Sequence, residues 1–157
     1  DGFVQERCNA VTSDKSQLQA RKATNERGSE WMILPETLSR EPLSPAWKAG
    51  DAQWGDLVRW VVYATIIAEE FGVTSENIDA MLASPELNPE ARRLFGLEGE
   101  LNANLGLDKN WAVNIIKSVG NYGEIFDRNL AVAPLSFERG INNLWKNGGL
   151  IYAPPYR

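Results

Sequence analysis

Apolar residues follow two different patterns along this chain, and the change falls near residue 50. In the first forty-odd residues they form short runs between polar turns. Ala10, Val11 and Thr12 make one such run, within residues 9 to 13, and "WMIL", residues 31 to 34, makes another that stops at Pro35. Runs of this length bounded by turn residues predict short strands. Between them, "KSQLQARKATNER" predicts a helix that Ser13 or Asp14 caps and Gly28 ends. The next stretch, "ETLSREPLSPAW", carries Pro42 and Pro45, which forbid a helix and predict an extended connector.

From Asp51 onward the period is helical. Trp54, Leu57, Val58, Val61, Val62 and Ile66 recur at helical spacing, with Asp51 as the cap and Gly72 as the stop. Shorter helices are expected in "ENIDAMLA" after Thr74 or Ser75, in "PEARRLF" after Asn88, and in "KNWAVNIIKSVG" after Asp108. Two more amphipathic helices are expected in "NYGEIFDRNL" and "SFERGINNLWK", before an apolar "LIYAPPYR" segment that packs or pairs as a strand. The fold class this predicts is α/β, predominantly helical with few strands. Two or three strands cannot close a sheet by themselves, and a strand followed by a helix normally sits between parallel neighbours.

Composition narrows the function more than the fold. The chain has 157 residues, 43% of them hydrophobic, which suffices for one ordinary core. Its formal charge is −5 and its sixteen basic residues are scattered, so no nucleic-acid partner is expected. The absence of histidine removes Ser-His-Asp and Cys-His catalysis, imidazole proton shuttles and most zinc sites. The most apolar run, Leu57 to Ala68, is twelve residues long and contains Arg59, too short to span a bilayer, so the chain reads as soluble. The opening "DGFVQERCNA" lacks the apolar segment of a signal peptide. The single cysteine, Cys8, has no partner in the chain and reads as a buried thiol or half of a bond made elsewhere.

Few positions suggest chemistry. Glu69 with Glu70, and Glu98 with Glu100, have the form of acid pairs, but without convergent partners they read as solvated surface. Residues 96 to 110 offer glycines and oxygen ligands, yet not at the alternate positions a calcium loop needs. Of the six tryptophans, Trp54 and Trp111 fall on helices at core spacing. "APPYR" lacks the usual proline-rich docking spacing and reads as a segment packed on its own domain. No cofactor and no metal follow from any of these. Asp14 differs, because it stands where a strand ends and a helix begins. In open α/β sheets ligands are met at that end of the strands, and a carboxylate there suits an ammonium group. It equally suits the first N–H groups of the helix as a cap. The residues alone leave these two readings open.

Several stretches together carry a resemblance. "RCNAVTSDKSQL", "ILPETLSREPLSP", "GDAQWGDLVRWVVYATIIAEEFGVTSENID", "NPEARRLFG", "GLDKNWAVNIIKSVGNYGEIFDRNL" and "ERGINNLWKNGGLIYAPPYR" cover nearly the whole chain. They resemble the periplasmic solute-binding proteins of polar amino-acid ABC transporters, in particular the general L-amino acid branch. The resemblance implies the C-terminal portion of a two-lobed, type II periplasmic-binding-protein fold whose chain crosses between lobes more than once. Residues 1–38 would end the second, ligand-clamping lobe, 39–50 would be the hinge-crossing connector, and 51–157 the helical part of the first lobe. "AVAP", residues 131 to 134, departs mildly in a variable loop.

By the same resemblance, Asp14 matches the aspartate that accepts hydrogen bonds from a ligand's α-ammonium, a charge-assisted contact. Thr12 and Ser13 are weaker neighbouring carry-overs. Cys8 is expected to pair with a cysteine on a neighbouring strand that this chain lacks. The family's carboxylate-gripping arginine lies in segments without a counterpart here, so the chain alone is expected to bind ligand weakly. The function implied is the amino-acid-binding component of an ABC uptake system in the periplasm, with a free L-amino acid and the cognate permease as partners and no chemistry of its own. The competing expectation is a non-enzymatic interaction or oligomerisation module that self-associates through unpaired strands.

Overall fold

The computed structural model describes residues 2–157. It divides into two compact units, the first formed by Asp1–Ser44 with Val132–Ser136 and the second by Pro45–Ala131 with Phe137–Arg157.

Among its described residues the first unit holds one helix, α1, Lys15–Thr24, and a single 3₁₀ turn, Gly28–Glu30. The helix stops four residues short of Gly28. Asn25 is already extended, and its side chain accepts the backbone N–H of Arg27 at 2.9 Å in an Asx turn that competes with another helical turn. Gly28 itself is obligatory, because a Cβ placed there would lie 1.8 Å from the carbonyl oxygen of Lys22. Lys22 Nζ donates to the Trp31 carbonyl at 2.6 Å, and the Trp31 ring meets Phe3 edge to face at 5.1 Å. Gln19 Nε2 donates to the Leu135 carbonyl at 2.9 Å and so fastens residues 132–136 to α1. Among the described residues neither expected strand, 9 to 13 or 31 to 34, is formed. Both segments lack a neighbour to pair with, and a strand exists only as part of a ladder. The connector over 35–47 is irregular throughout, as its prolines require.

The second unit is built around α2, Ala52–Glu70. Asp51 caps it by accepting the Trp54 N–H at 2.9 Å, and the chain turns at Gly72 with φ +68°. Its C-terminal half supplies the buried stripe Ala64, Ile67 and Ala68, where each large aliphatic side chain contributes about 1.5–3 kcal/mol by burial. Trp54 lies in the first turn, 53% exposed, which corrects its expected place in the core. Period alone does not say where along a helix the core begins. Around α2 lie α3, Ile78–Ala83, α4, Pro89–Leu94, α5, Trp111–Val119, and α6, Tyr122–Asn129. Ile78, Leu94, Phe95, Trp111 and Ile116 complete the core, with Trp111 only 6% exposed, as its spacing suggests.

The helix ends obey local chemistry. Asn88 accepts the Glu90 N–H at 2.8 Å with Pro89 in the first turn of α4. Neither Thr74 nor Ser75 starts α3. Thr74 and Asn77 exchange bonds between each one's backbone N–H and the other's side chain, at 2.7 and 3.1 Å, and Asn77 precedes the helix. Asn121 and Glu124 form a capping box on α6, while Asn121 Nδ2 donates to the Val73 carbonyl at 2.9 Å.

The expected helix in "SFERGINNLWK" is replaced by two 3₁₀ turns, Gly140–Asn142 and Trp145–Asn147. Gly140 adopts φ +50°, outside the helical region, and Leu144 pairs instead with Ile151 in an isolated bridge. At Gly149 a Cβ would lie 1.8 Å from the Asn143 carbonyl oxygen, so the return is open to glycine alone. In the final segment Ile151 makes that bridge and Tyr156 reaches the core, while Leu150 and Tyr152 stay exposed.

Candidate functional site

Asp14 stands at the start of α1, where its backbone is extended with φ −55° and ψ 138°. Its carbonyl accepts the Leu18 N–H at 3.0 Å and opens the helix. Its carboxylate, by contrast, makes no capping bond to the first turn, and α1 carries no other acid there. The side chain is exposed, as are those of Thr12 and Ser13. The Ser13 hydroxyl donates to Oε1 of Gln17, which draws it back along the helix. The structure therefore places Thr12, Ser13 and Asp14 on one exposed segment that leads into the helix N-terminus, with the carboxylate uncommitted. A negative group is favoured there by the helix dipole.

Cys8 is exposed with an unbonded thiol, which removes the reading of a small buried core residue. Among the described residues no cluster of three or more metal-ligating side chains occurs.

The acidic pairs resolve differently from one another. Glu98 and Glu100 are surface residues that pair with Arg92 and Lys109. Glu69 is not a solvated surface residue. It holds the Arg139 guanidinium in a two-pronged pair at 2.8 and 3.2 Å with both side chains largely buried, and that guanidinium lies over the rings of Tyr122 and Phe126 at 5.4 and 5.2 Å. A separation of seventy residues hides such a pair from local reading.

Glu124 is a further carboxylate that local pattern underrates. Burial works against its charge, but the Ser75 hydroxyl, the N–H groups of Asn121 and Ser75, and nearby Arg128 more than offset this and hold its pKa below the ordinary value. It is a structural knot between α6 and the turn before α3. Glu70 and Glu90 border a cleft of about 460 Å³ with Trp145, Tyr152 and Pro155. Each has a local role, Glu70 accepting the Trp145 indole N–H at 3.2 Å and Glu90 the Tyr156 N–H at 3.0 Å.

The chain is homologous, across nearly its whole length, to about half of a periplasmic binding protein of amino-acid ABC transporters. It is 49% identical over 154 residues to the general L-amino acid-binding periplasmic protein AapJ of Rhizobium johnstonii, covering 96% of this chain and 45% of that protein. It is 45% identical over 156 residues to the glutamate/glutamine/aspartate/asparagine-binding protein BztA of Rhodobacter capsulatus, covering 99% of this chain and 46% of that one. Its backbone matches a periplasmic binding protein from Brucella ovis with glutathione bound, at a TM-score of 0.91 and 43% identity, over 99% of this chain and 49% of that chain. No family model matches the chain. The described residues form helices and no strand, and they match about half of that periplasmic binding protein. Among the described residues no helix is long and apolar enough to cross a membrane.

Proposed function

We propose that this chain supplies part of the ligand-clamping machinery of a periplasmic amino-acid-binding protein, with Asp14 as the receptor for the ligand's α-ammonium group. The observation that carries the reading is the carboxylate itself, exposed at the mouth of α1 and released from capping. An aspartate that only started the helix would bond to the second or third N–H of the first turn. Thr12 and Ser13 contribute weaker polar contacts on the same segment.

The ligands named for the relatives fit this chemistry. AapJ is named for general L-amino acids, BztA for four acidic and amide amino acids, and the Brucella protein holds glutathione. All of these molecules present an α-ammonium beside an α-carboxylate, glutathione through its γ-glutamyl residue. A single aspartate reading that head group serves them all, and selectivity lies with contacts to the rest of the ligand.

On this reading residues 1–38 belong to the clamping lobe, 39–50 cross the hinge, and 51–157 belong to the other lobe. Binding is completed by closure of the lobes, with the carboxylate held by groups outside this chain. Delivery is to a membrane permease, no covalent bond is made or broken, and the compartment is the periplasm. Cys8 is then half of a disulfide whose other cysteine is supplied from outside the chain, and the chain alone binds ligand weakly.

The test is calorimetry on a full-length parent that contains this chain. Replacing Asp14 by Ala or Asn should weaken L-glutamate binding roughly 10- to 150-fold, the value of one charge-assisted hydrogen-bonded contact of about 1.5–3 kcal/mol. Unchanged affinity in both variants rejects the assignment.

A further inference from the structure

The end of α2 carries two adjacent glutamates with different partners. Glu69 holds a cation of the chain itself, the Arg139 guanidinium, which it grips with both carboxylate oxygens while the rings of Tyr122 and Phe126 lie beneath. A carboxylate beside aromatic faces suits a guanidinium or an ammonium, because one supplies charge and directed acceptors and the other an electron-rich wall. Glu70 stands in the same composition without the cation. It borders the cleft of about 460 Å³ together with a second half-buried carboxylate, Glu90, and with Trp145, Tyr152 and Pro155. A space of this size suits a small molecule.

The walls of the cleft are fixed from inside the second unit. Glu70 Oε1 accepts the Trp145 indole N–H and Glu90 Oε1 accepts the Tyr156 N–H, which leaves the Oε2 atom of each free to face a ligand. Among the described residues neither carboxylate forms an ion pair. The neighbouring cations are engaged elsewhere, Lys146 on the backbone carbonyl of Glu70 and Arg93 on that of Tyr156. Trp145 and Tyr152, 57% and 68% exposed, leave ring surface open.

We propose that this cleft binds a diffusible organic dication, a short alkyl chain with a guanidinium or ammonium at each end. One end meets Glu70, the other meets Glu90, and the body lies along Trp145, Tyr152 and Pro155. Two carboxylates at one small cleft favour two positive ends over one. Aromatic and proline walls favour a hydrocarbon body over a metal ion, which would require a fuller set of oxygen ligands. The chain's formal charge of −5 favours the approach of a cation. The inference is independent of the role given to Asp14.

The experiment is titration of agmatine into this chain, followed by calorimetry and by the amide chemical shifts of the labelled protein. Saturable one-to-one binding is expected, with shifts concentrated at Glu70, Glu90, Trp145 and Tyr152. Absence of saturable binding, or shifts centred elsewhere, overturns the proposal. γ-Guanidinobutyrate keeps the guanidinium and the chain but carries a carboxylate in place of the ammonium, and should bind at least roughly 10-fold more weakly. Equal affinity for the two overturns the two-ended site. Glu70→Gln and Glu90→Gln retain an acceptor oxygen for Trp145 and Tyr156, so the walls stand, and each should weaken agmatine roughly 5- to 10-fold. Glu98→Gln, on the surface away from the cleft lining, should bind as the parent does. Parent-like binding by both cleft variants, or an equal loss in Glu98→Gln, reduces the attraction to net charge and overturns the proposal. N-acetyl-arginine amide presents the guanidinium as a protein side chain would. Tighter binding of this probe than of agmatine assigns the cleft to an arginine of a protein partner and overturns the diffusible ligand.

Discussion

Tyr156 offers a sharp test of how the second unit is held together. Only 3% exposed, it meets Trp60 edge to face at 5.0 Å and lies tilted against Trp111 at 6.2 Å. Its backbone is fastened on both sides, the N–H donating to Glu90 Oε1 at 3.0 Å and the carbonyl accepting Arg93 Nε at 3.2 Å. The phenol is the exception to this order. Its hydroxyl and the Trp111 indole N–H are both buried, and neither reaches hydrogen-bond geometry with any group. Burial pushes the phenol's pKa up, and the nearby indole N–H offsets part of the rise. The ring and the hydroxyl should therefore have opposite effects on stability. Tyr156→Ala should cost about 3–5 kcal/mol, the range for removing a buried aromatic. Tyr156→Phe removes a buried polar group that lacks a partner and should be neutral or stabilising by up to about 1–2 kcal/mol. At this chain length the latter is a rise of about 2–8 °C in Tm at most. Urea and thermal unfolding followed by tryptophan fluorescence suit the test, because Trp60 and Trp111 touch the altered ring. The sign with pH follows from the raised pKa. Below the ordinary tyrosine value of 10 both states are protonated. Above it the unfolded chain ionises first, so stability falls with pH in the parent and less in Tyr156→Phe. A loss of more than about 1 kcal/mol in Tyr156→Phe at neutral pH would refute the reasoning, since it would mean that the hydroxyl has a partner in solution.

Three further substitutions probe the carboxylates of the same unit. Glu124 has a depressed pKa, so its contribution is present above its ordinary 4.5 and is lost as pH falls through the lower folded value. The stability gap between the parent and Glu124→Gln, measured by urea unfolding, should be open at pH 7 and close in that acid range; a constant gap contradicts the depressed pKa. Arg139→Met leaves Glu69 without its cation and should cost about 2–3 kcal/mol, and Glu69→Gln should cost a similar amount. The double variant should lose clearly less than the sum, and strict additivity would show that the pair is not coupled.

What the sequence reveals follows the range of the interactions that decide each feature. The start of α2 at Asp51, the cap at Asn88 and the stop at Gly72 are read correctly because each is settled within four residues. Residues 136–146 are misread because their helix-like pattern loses to a bridge between Leu144 and Ile151 and to the tight return at Gly149. The strands at 9–13 and 31–34 show the converse. Their pattern is legible, but a pattern cannot supply the ladder a strand requires. Asp14 is singled out by its place at a segment-to-helix junction alone, whereas its release from capping is visible only in the geometry. The Glu69–Arg139 pair has no local signature at all.

The end of α2 also fixes an order of events. Glu69 holds Arg139, while Glu70 accepts Trp145 through its carboxylate and Lys146 through its carbonyl, across separations of 70 to 76 residues. The whole of α3 to α6 lies inside the loop these contacts close. Closure entropy must be met before such distant groups can meet, whereas the caps of the enclosed helices form within a few residues. The expected sequence is helices first and clasp last, which makes the two adjacent glutamates the point where the unit's chain is finally drawn shut.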